Sequence, residues 1–133
     1  MKLTRASSYA IHALVFMAAE KQNRPVASHH IAKARGIPER FLLKVLKPLV
    51  SARVLHSVKG PNGGYRLARA ANDITILEVL EAVDGPIRGQ PTFSREEVNG
   101  SLNRRLEQIC TQAAEQVRKH LQRVRISDLA KKT

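Results

Sequence analysis

Cysteine is nearly absent from the sequence, because Cys110 is the only one among 133 residues. One thiol excludes an intramolecular disulfide, and it excludes a zinc or iron–sulfur site built from several cysteines of one chain. The sequence also lacks tryptophan, and only 4% of its residues are aromatic. This scarcity disfavours recognition of single-stranded nucleic acid by base stacking.

The sequence has no apolar run long enough to span a membrane. The apolar stretch over residues 10–19 contains His12, and no cleavage-like tripeptide follows it, so no signal peptide is expected. We therefore predict a cytoplasmic protein that does not bind membranes. No nucleophile–base pattern, paired carboxylates or H-E-x-x-H motif is present, and the sequence gives no case for an enzyme.

Acidic residues are scarce in the first half of the chain. Residues 1–70 hold thirteen Lys and Arg but only Glu20 and Glu39, a net charge of +11, whereas residues 71–133 carry only +1. A concentrated positive charge attracts a polyanion. Duplex DNA is the favoured partner, and an anionic membrane or an acidic protein is the alternative.

The first 53 residues show three helical patterns. Apolar residues recur at helical spacing over residues 4–20. Ser28 is predicted to cap a short helix from His29 to Arg35, which Gly36 ends. Pro38 is expected in the first turn of the next helix. A short helix, a turn with glycine and a second helix form the helix-turn-helix layout.

The second helix of this pair has an apolar stripe and a basic outer side, formed by Arg40, Lys44 and Lys47. Pro48 removes one helical hydrogen bond and is expected to kink the last turn. In a helix-turn-helix protein this second helix enters the major groove of DNA.

A hairpin is predicted directly after these helices, in the stretch "HSVKGPNGGYRLAR". Asn62-Gly63 is a strong signal for a two-residue turn. Basic residues, Lys59 and Arg66, flank the tip. A hairpin behind a helix-turn-helix is a wing, and a thin cationic tip suits the minor groove.

The rest of the chain is predicted to be helical. Residues 73–75 cap a helix that Gly85 stops, and a long amphipathic helix begins near Ser94 or Ser101. Ser127 is expected to cap a short turn over residues 128–131. Because its stripe must be covered, we predict that the long helix pairs with a second subunit. The stripe consists of Leu102, Leu106, Ile109, Ala113, Val117, Leu121 and Val124.

These patterns predict a mainly α fold with a small β-hairpin wing. We expect a winged helix-turn-helix domain over residues 1–84, a connector over 85–100, and a long dimerisation helix with a terminal turn over 101–133.

The motifs "IAKARGIPERFLLKVLKPL", "VKGPNGGYRLAR" and "ITILEVLEAVDGP" resemble the IscR/NsrR/CymR family of bacterial winged-helix regulators. The resemblance is close over residues 1–87 and looser beyond. It implies a homodimeric transcription regulator with a domain-exchanged long helix. It also implies that residues 38–44 read the major groove and that Lys59 contacts the minor groove.

The chain departs from that family at the cofactor site. Cluster-binding members carry three cysteines between the "AVDGP" helix and the start of the long helix, whereas no cysteine lies between Gly85 and Ile109 here. We therefore predict no cofactor and no metal. A redox or metal sensor that uses Cys110 with His12 is the alternative, although a lone cysteine in a helix stripe is more often a small buried hydrophobe.

The combined prediction is a DNA-binding transcription regulator, a repressor that acts as a homodimer on a palindromic operator. A module that binds DNA without specificity is the competing hypothesis. The candidate DNA contacts are Ser28, Pro38, Glu39, Arg40, Lys44, Lys47, Lys59, Asn62 and Arg66.

Overall fold

A computed structural model describes residues 2–88 and 100–130 of the chain. The described part contains six α-helices, two short 3-10 helices (Lys21–Asn23 and Ala71–Asp73) and one hairpin. The α-helices are α1 (Arg5–Ala18), α2 (Ser28–Arg35), α3 (Glu39–Ser51), α4 (Ile76–Asp84), α5 (Ser101–Gln122) and α6 (Ile126–Ala130). The hairpin consists of β1 (Leu55–Val58) and β2 (Gly64–Leu67), which pair antiparallel. The predicted fold class is confirmed. No helix of the described residues is long and apolar enough to cross a membrane.

The helix-turn-helix pair forms as the sequence predicts, with differences at its caps. Gly36 adopts a left-handed conformation, with a φ of 65°, and ends α2. The prediction for Ser28 is wrong, because Ser28 is the first helical residue and Ala27 holds the cap position without a side-chain hydrogen bond. Pro38 holds the cap position of α3 rather than its first turn. The helix α3 continues through Pro48 to Ser51.

The hairpin turn also differs from the prediction. Val58 pairs with Gly64, so five residues form the loop instead of the two expected at Asn62-Gly63. The Gly63 amide donates to the Gly60 carbonyl at 3.0 Å, which closes a turn with Pro61 at its second position. Because proline fixes its own φ and favours this position of a turn, Pro61 decides the loop and Asn62 does not need a positive φ.

The core is one apolar cluster between α1, α2, α3, α4 and the wing. Leu14, Leu42 and Leu46 are completely buried in it. The C-terminal helix α6 contributes to the same core through Ile126, which is also fully buried. Its amide donates to the Ile74 carbonyl at 2.9 Å, beside α4. The segment after the long helix therefore packs on the DNA-binding half.

Hydrogen bonds with the side chain of Asp84 join the start of α1 to the end of α4. Its carboxylate accepts from the Ser7 hydroxyl at 2.5 Å and from the Thr4 hydroxyl at 2.8 and 3.0 Å. Thr4 caps α1 by accepting from the Ser7 amide. Because Ser7 is completely buried, its hydroxyl needs this partner. The "AVDGP" motif thus positions the first helix.

The N-terminus of α4 has a capping box. The Thr75 hydroxyl accepts from the Glu78 amide, and the Glu78 carboxylate accepts from the Thr75 amide at 2.9 Å. Gly85 ends this helix with a φ of 87°, as predicted. The expected cap at Ser127 is wrong, because Ser127 lies inside α6 and Asp128 accepts from the Arg125 amide instead.

Candidate nucleic-acid interface

The outer face of α3 is exposed and basic. Arg40, Lys44 and Lys47 are all exposed, while Leu42 and Leu46 on the other side are completely buried. Residues three or four apart share one side of a helix, so this helix presents cations outward and an apolar stripe inward. The exposed Pro38 and Glu39 lie at its N-terminal end. Leu43, on the same face, is apolar and 41% exposed.

The ammonium group of Lys44 lies over the ring of Phe41, 5.7 Å from the ring centroid. Phe41 is 52% exposed, which is unusual for so large an apolar side chain. The cation–π contact favours one position of the charge at the surface of α3. Lys44 is therefore more restrained than Arg40 or Lys47.

The tip of the wing is exposed and carries the predicted residues. Lys59 and Asn62 lie in the loop, and Arg66 lies on β2 opposite His56. All three side chains point at least partly to solvent, since each residue is exposed. The structure thus places a cation at the tip and another on the strand behind it.

The base of the wing is attached to the helix-turn-helix through Val26. The amides and carbonyls of Val26 and Tyr65 exchange two hydrogen bonds of 2.8 Å. Gly64 lies so close to this segment that a Cβ there would be 2.7 Å from the Ala27 nitrogen. A Cβ on Gly63 would lie 2.1 Å from the Val58 carbonyl oxygen. Gly64 therefore allows the wing to approach the residues that precede α2, whereas Gly63 allows the loop to fold closely onto the end of β1.

A cleft of 570 Å³ lies between the wing and the start of α2. Asn62 and Gly63 line it on the wing side, and His29 and His30 line it on the helix side. Arg24, which is not among the predicted DNA contacts, also lines this cleft. In the sequence, the only signal of this cleft is the Gly-Gly pair. It indicates that the backbone there lies close to another segment, but it does not identify that segment. Ser28 is half-buried beside these residues.

Arg69 connects the end of the wing to α3 and α4. Its guanidinium donates to the Asp73 carbonyl at 3.0 Å, to the Arg53 carbonyl at 3.4 Å, and to the Glu78 carboxylate in an ion pair. The hydrogen bond with Glu78 raises the pKa of Arg69 above its ordinary value, against the effect of partial burial. Sequence reasoning missed this arginine, because nothing in its spacing identifies these three partners.

Opposing effects act on the Glu78 carboxyl. Partial burial alone would raise its pKa. The hydrogen bonds from Arg69 and from the Thr75 amide, together with the charge of Arg69, outweigh burial and hold the pKa of Glu78 below its ordinary value. The carboxylate therefore stays charged where it joins the wing to α4.

The predicted dimerisation stripe divides into two parts. Its first part is exposed: Leu102 is 64% exposed, Leu106 39% and Ile109 61%, and Ala113 is exposed as well. Its last part, Leu121 and Val124, packs against the core of the same chain, with the half-buried Val117 between the two parts. An ion pair from Arg118 to Glu81 attaches the C-terminal part of α5 to α4.

The two candidate sensor residues lie on different helices. His12 is exposed on α1, and Cys110 is half-buried on α5. Within residues 2–88 and 100–130, no three His, Cys, Asp or Glu side chains gather in a way that could hold a metal ion. The described residues therefore do not form a cluster site of the kind that three thiolates provide.

Comparison with known proteins agrees with this architecture. A family model described as "Rrf2: Iron-dependent Transcriptional regulator" matches residues 3–132. The HTH-type transcriptional regulator IscR of Vibrio atlanticus is 35% identical over 100 residues, which are 75% of this chain and 58% of that protein. A candidate HTH-type regulator of Mycobacterium tuberculosis is 37% identical over 87 residues, 65% of this chain and 54% of that protein. The chain thus spans little more than half of the length of these relatives.

Solved structures share the fold over nearly the whole chain. CymR of B. subtilis, titled the global cysteine regulator, superposes with a TM-score of 0.79 at 22% identity and covers 98% of this chain and 96% of its own. A transcriptional regulator of Listeria innocua has a TM-score of 0.78 at 26% identity, with 97% and 85% covered. The family match, the relatives and the wing behind a helix-turn-helix agree, and the chain belongs to the Rrf2 family of transcriptional regulators.

Proposed function

We propose that the protein is a transcription repressor that acts as a homodimer on a palindromic DNA site. The observation that carries the proposal is the exposed basic face of α3 beside a wing whose base is fixed to the segment before α2. In this arrangement α3 enters the major groove while Lys59 reaches the minor groove. The bacterial relatives named as HTH-type regulators support DNA binding, and a cytoplasmic location belongs to the same proposal.

The DNA contacts in this proposal are charged and polar residues of α2, α3 and the wing. In the proposal, Lys44, Lys47 and Arg66, all exposed, neutralise phosphates, and the exposed Arg40 contacts base edges. Asn62 lines the cleft on the wing side, and Ser28, the first residue of α2, lies next to Ala27 and His29, which line it on the other side. Pro38 and Glu39 are at the end of α3 that approaches DNA first in this docking geometry.

The homodimer in this proposal forms through the exposed part of the α5 stripe. Three large apolar residues, Leu102, Leu106 and Ile109, are exposed at spacings of four and three on one side of the helix. Such a stripe on a long helix is covered most economically by its own copy, and two-fold symmetry then matches a palindromic site. The domain boundaries predicted from the sequence stay part of this proposal.

We propose that the iron dependence named in the family description does not apply to this chain. The residues do not fit a cluster of three thiolates, because Cys110 is the sole cysteine of the sequence and is half-buried on α5. A cluster normally takes four protein ligands, most often thiolates. We therefore propose a regulator that does not carry the family's usual cluster.

Selection of binding sites from random duplexes tests the proposed function. We expect enrichment of a palindrome whose half-sites lie about one helical turn apart, since two α3 helices must reach successive major grooves. Affinity for the selected duplex should fall by orders of magnitude between about 50 and 200 mM salt. Binding without sequence enrichment would instead support a non-specific DNA-binding module, which the exposed apolar Leu43 on α3 would also suit.

A further inference from the structure

A second surface of α3 lies away from its basic face. A cavity of 310 Å³ opens between α1, α3 and the end of α4. Its wall is apolar, and small-molecule sites are typically concave, mostly apolar and of about this size or larger. The apolar lining comes from Tyr9, Phe41, Val45 and Pro48.

The two charged residues that line the cavity are both cations, Arg5 and Lys44. Neither forms an ion pair with any carboxylate in the part of the chain that the structure describes. The contact between Lys44 and the Phe41 ring keeps its ammonium beside the cavity mouth. An apolar hollow with unpaired cations at its edge is complementary to a molecule with an apolar body and one anionic end.

We propose that this cavity binds a small amphipathic carboxylate, with its apolar part against Phe41 and Val45 and its carboxylate between Arg5 and Lys44. The consequence for DNA rests on the proposed function, in which Lys44 neutralises phosphate. A carboxylate that engages Lys44 competes with that phosphate, so the ligand lowers the affinity of α3 for DNA. The cavity would thus give the regulator an effector site.

Calorimetric titration of the full chain with octanoate tests the site, in the absence of DNA. We expect octanoate to saturate one site per chain. The neutral analogue 1-octanol should bind about tenfold more weakly, because the charge-assisted contact is lost. Arg5→Gln should weaken octanoate binding by about tenfold and leave octanol unchanged. Arg123→Gln, which removes an exposed cation on another element, should change neither.

Filling the cavity provides a second test. Ala6 lines the cavity and is half-buried, so Ala6→Leu should abolish binding of both probes while circular dichroism shows an unchanged fold. If octanol binds as tightly as octanoate, or if Arg123→Gln weakens binding as much as Arg5→Gln, the proposed site is wrong. A further outcome is that octanoate fails to bind the wild type while Ala6→Leu changes the mass of the assembly in solution. That result would assign the cavity to a contact with another chain and overturn the proposal.

The effect on DNA is measured separately. Octanoate at saturation should weaken duplex binding severalfold for the wild type and have no effect on Ala6→Leu. Octanoate binding that leaves duplex affinity unchanged would overturn the effector role. If the protein does not bind DNA at all, the proposed function fails while the calorimetric result stands by itself.

Discussion

The Cα of Gly64 faces the backbone of Val26 so closely that a Cβ on Gly64 would lie 2.3 Å from the Val26 carbonyl oxygen. Real Cβ atoms do not approach backbone atoms to that distance, and Gly64 also has a φ of 148°. Gly64 therefore does more than help to turn the hairpin. It allows the wing to form two backbone hydrogen bonds with the chain segment that leads into α2.

Gly64→Ala should destabilise the protein strongly and displace the wing. Strained backbone costs about 1–3 kcal/mol, and forcing an extra methyl group into a filled space adds about 1–3 kcal/mol. Urea unfolding would measure the change in free energy, and duplex titration would show the accompanying loss of affinity.

Gly60→Ala is the matched control for that substitution. Gly60 also has a positive φ, 109°, but nothing lies within 4 Å of its missing Cβ. It should therefore show only the backbone cost, about 1–3 kcal/mol. If the two variants lost equal stability, the close approach of the Val26 backbone would not be the reason that position 64 requires glycine.

The ion pair between Arg69 and Glu78 should make stability depend on pH at the acidic end. Because folding lowers the pKa of Glu78, its contribution is present above the unfolded pKa, about 4.3, and is lost as pH falls through the lower folded value. Both side chains are about a third exposed, at 37% and 31%. Solvent screening therefore limits the effect to less than about 1 kcal/mol.

Glu78→Gln isolates that charge, because glutamine can still accept from the Thr75 amide in the capping box. We expect its urea midpoint to fall less between pH 6 and pH 3 than that of the wild type. Glu115→Gln, at an exposed position of α5, should keep the wild-type pH dependence. An unchanged acid profile for Glu78→Gln would show that the ion pair does not stabilise the fold.

A charge in the exposed part of the α5 stripe should dissociate the proposed dimer. Ile109 is 61% exposed in the single chain, so Ile109→Lys should not disturb the core but should prevent an apolar contact between subunits. Sedimentation equilibrium should report a dimer for the wild type and a monomer for this variant. Leu129→Lys on α6, where Leu129 is 46% exposed, serves as the control. A wild-type monomer at micromolar concentration would refute the proposed pairing.

Arg40 and Lys59 should affect DNA binding in different ways. Arg40→Ala should relax the base preference at one position of the site. The loss of a bidentate base contact would reduce discrimination there by about 1–3 kcal/mol. Lys59→Ala should weaken binding most on sites with A·T-rich flanks, whose narrow minor groove attracts cations. Repeating the site selection with each variant measures both. Equal losses on all sequences would mean that neither residue reads the site, and Arg123→Ala gives the background.

Protein purified without air from an iron-replete host should be colourless and should bind DNA. The reason is the ligand count, since a cluster needs four ligands and the sequence offers one thiol. Absorption near 400 nm, about where iron–thiolate charge transfer appears, would be the contrary result. If this absorption disappeared in Cys110→Ala, Cys110 would be a ligand of a cluster that bridges the dimer. The His12→Ala variant would then show whether His12 is a further ligand of that cluster.

The sequence predicted the elements well, because long apolar periodicities decide which helices form. The two helices of the helix-turn-helix, Gly36 at its turn and the wing behind it all appear as expected. The family match and the shared fold confirm the resemblance on which the functional prediction rested.

The errors in the turn and in the caps lie where one local preference outweighs another. Asn62-Gly63 is a good two-residue turn in isolation, but Pro61 places the turn one residue earlier. Ser127 is a good cap in isolation, but α6 already begins at Ile126, where Asp128 accepts from the Arg125 amide. The partners of Arg69 lie four, nine and sixteen residues away in no regular element shared with it, so they could not be identified without the fold. Single-residue caps and ion pairs between elements are thus the features that periodicity does not determine.

The burial of Ile126 has a consequence for how the chain folds during synthesis. The core around α1 is complete only when Ile126 has packed beside Ile74, yet more than a hundred residues separate α1 from α6. Contacts of such large sequence separation form late, because closing a long loop is entropically unfavourable. The helix-turn-helix therefore leaves the ribosome well before Ile126 does. Until α6 emerges, the nascent chain exposes the apolar surface that Ile126 will cover, and a chaperone that binds such surfaces has its opportunity in that interval.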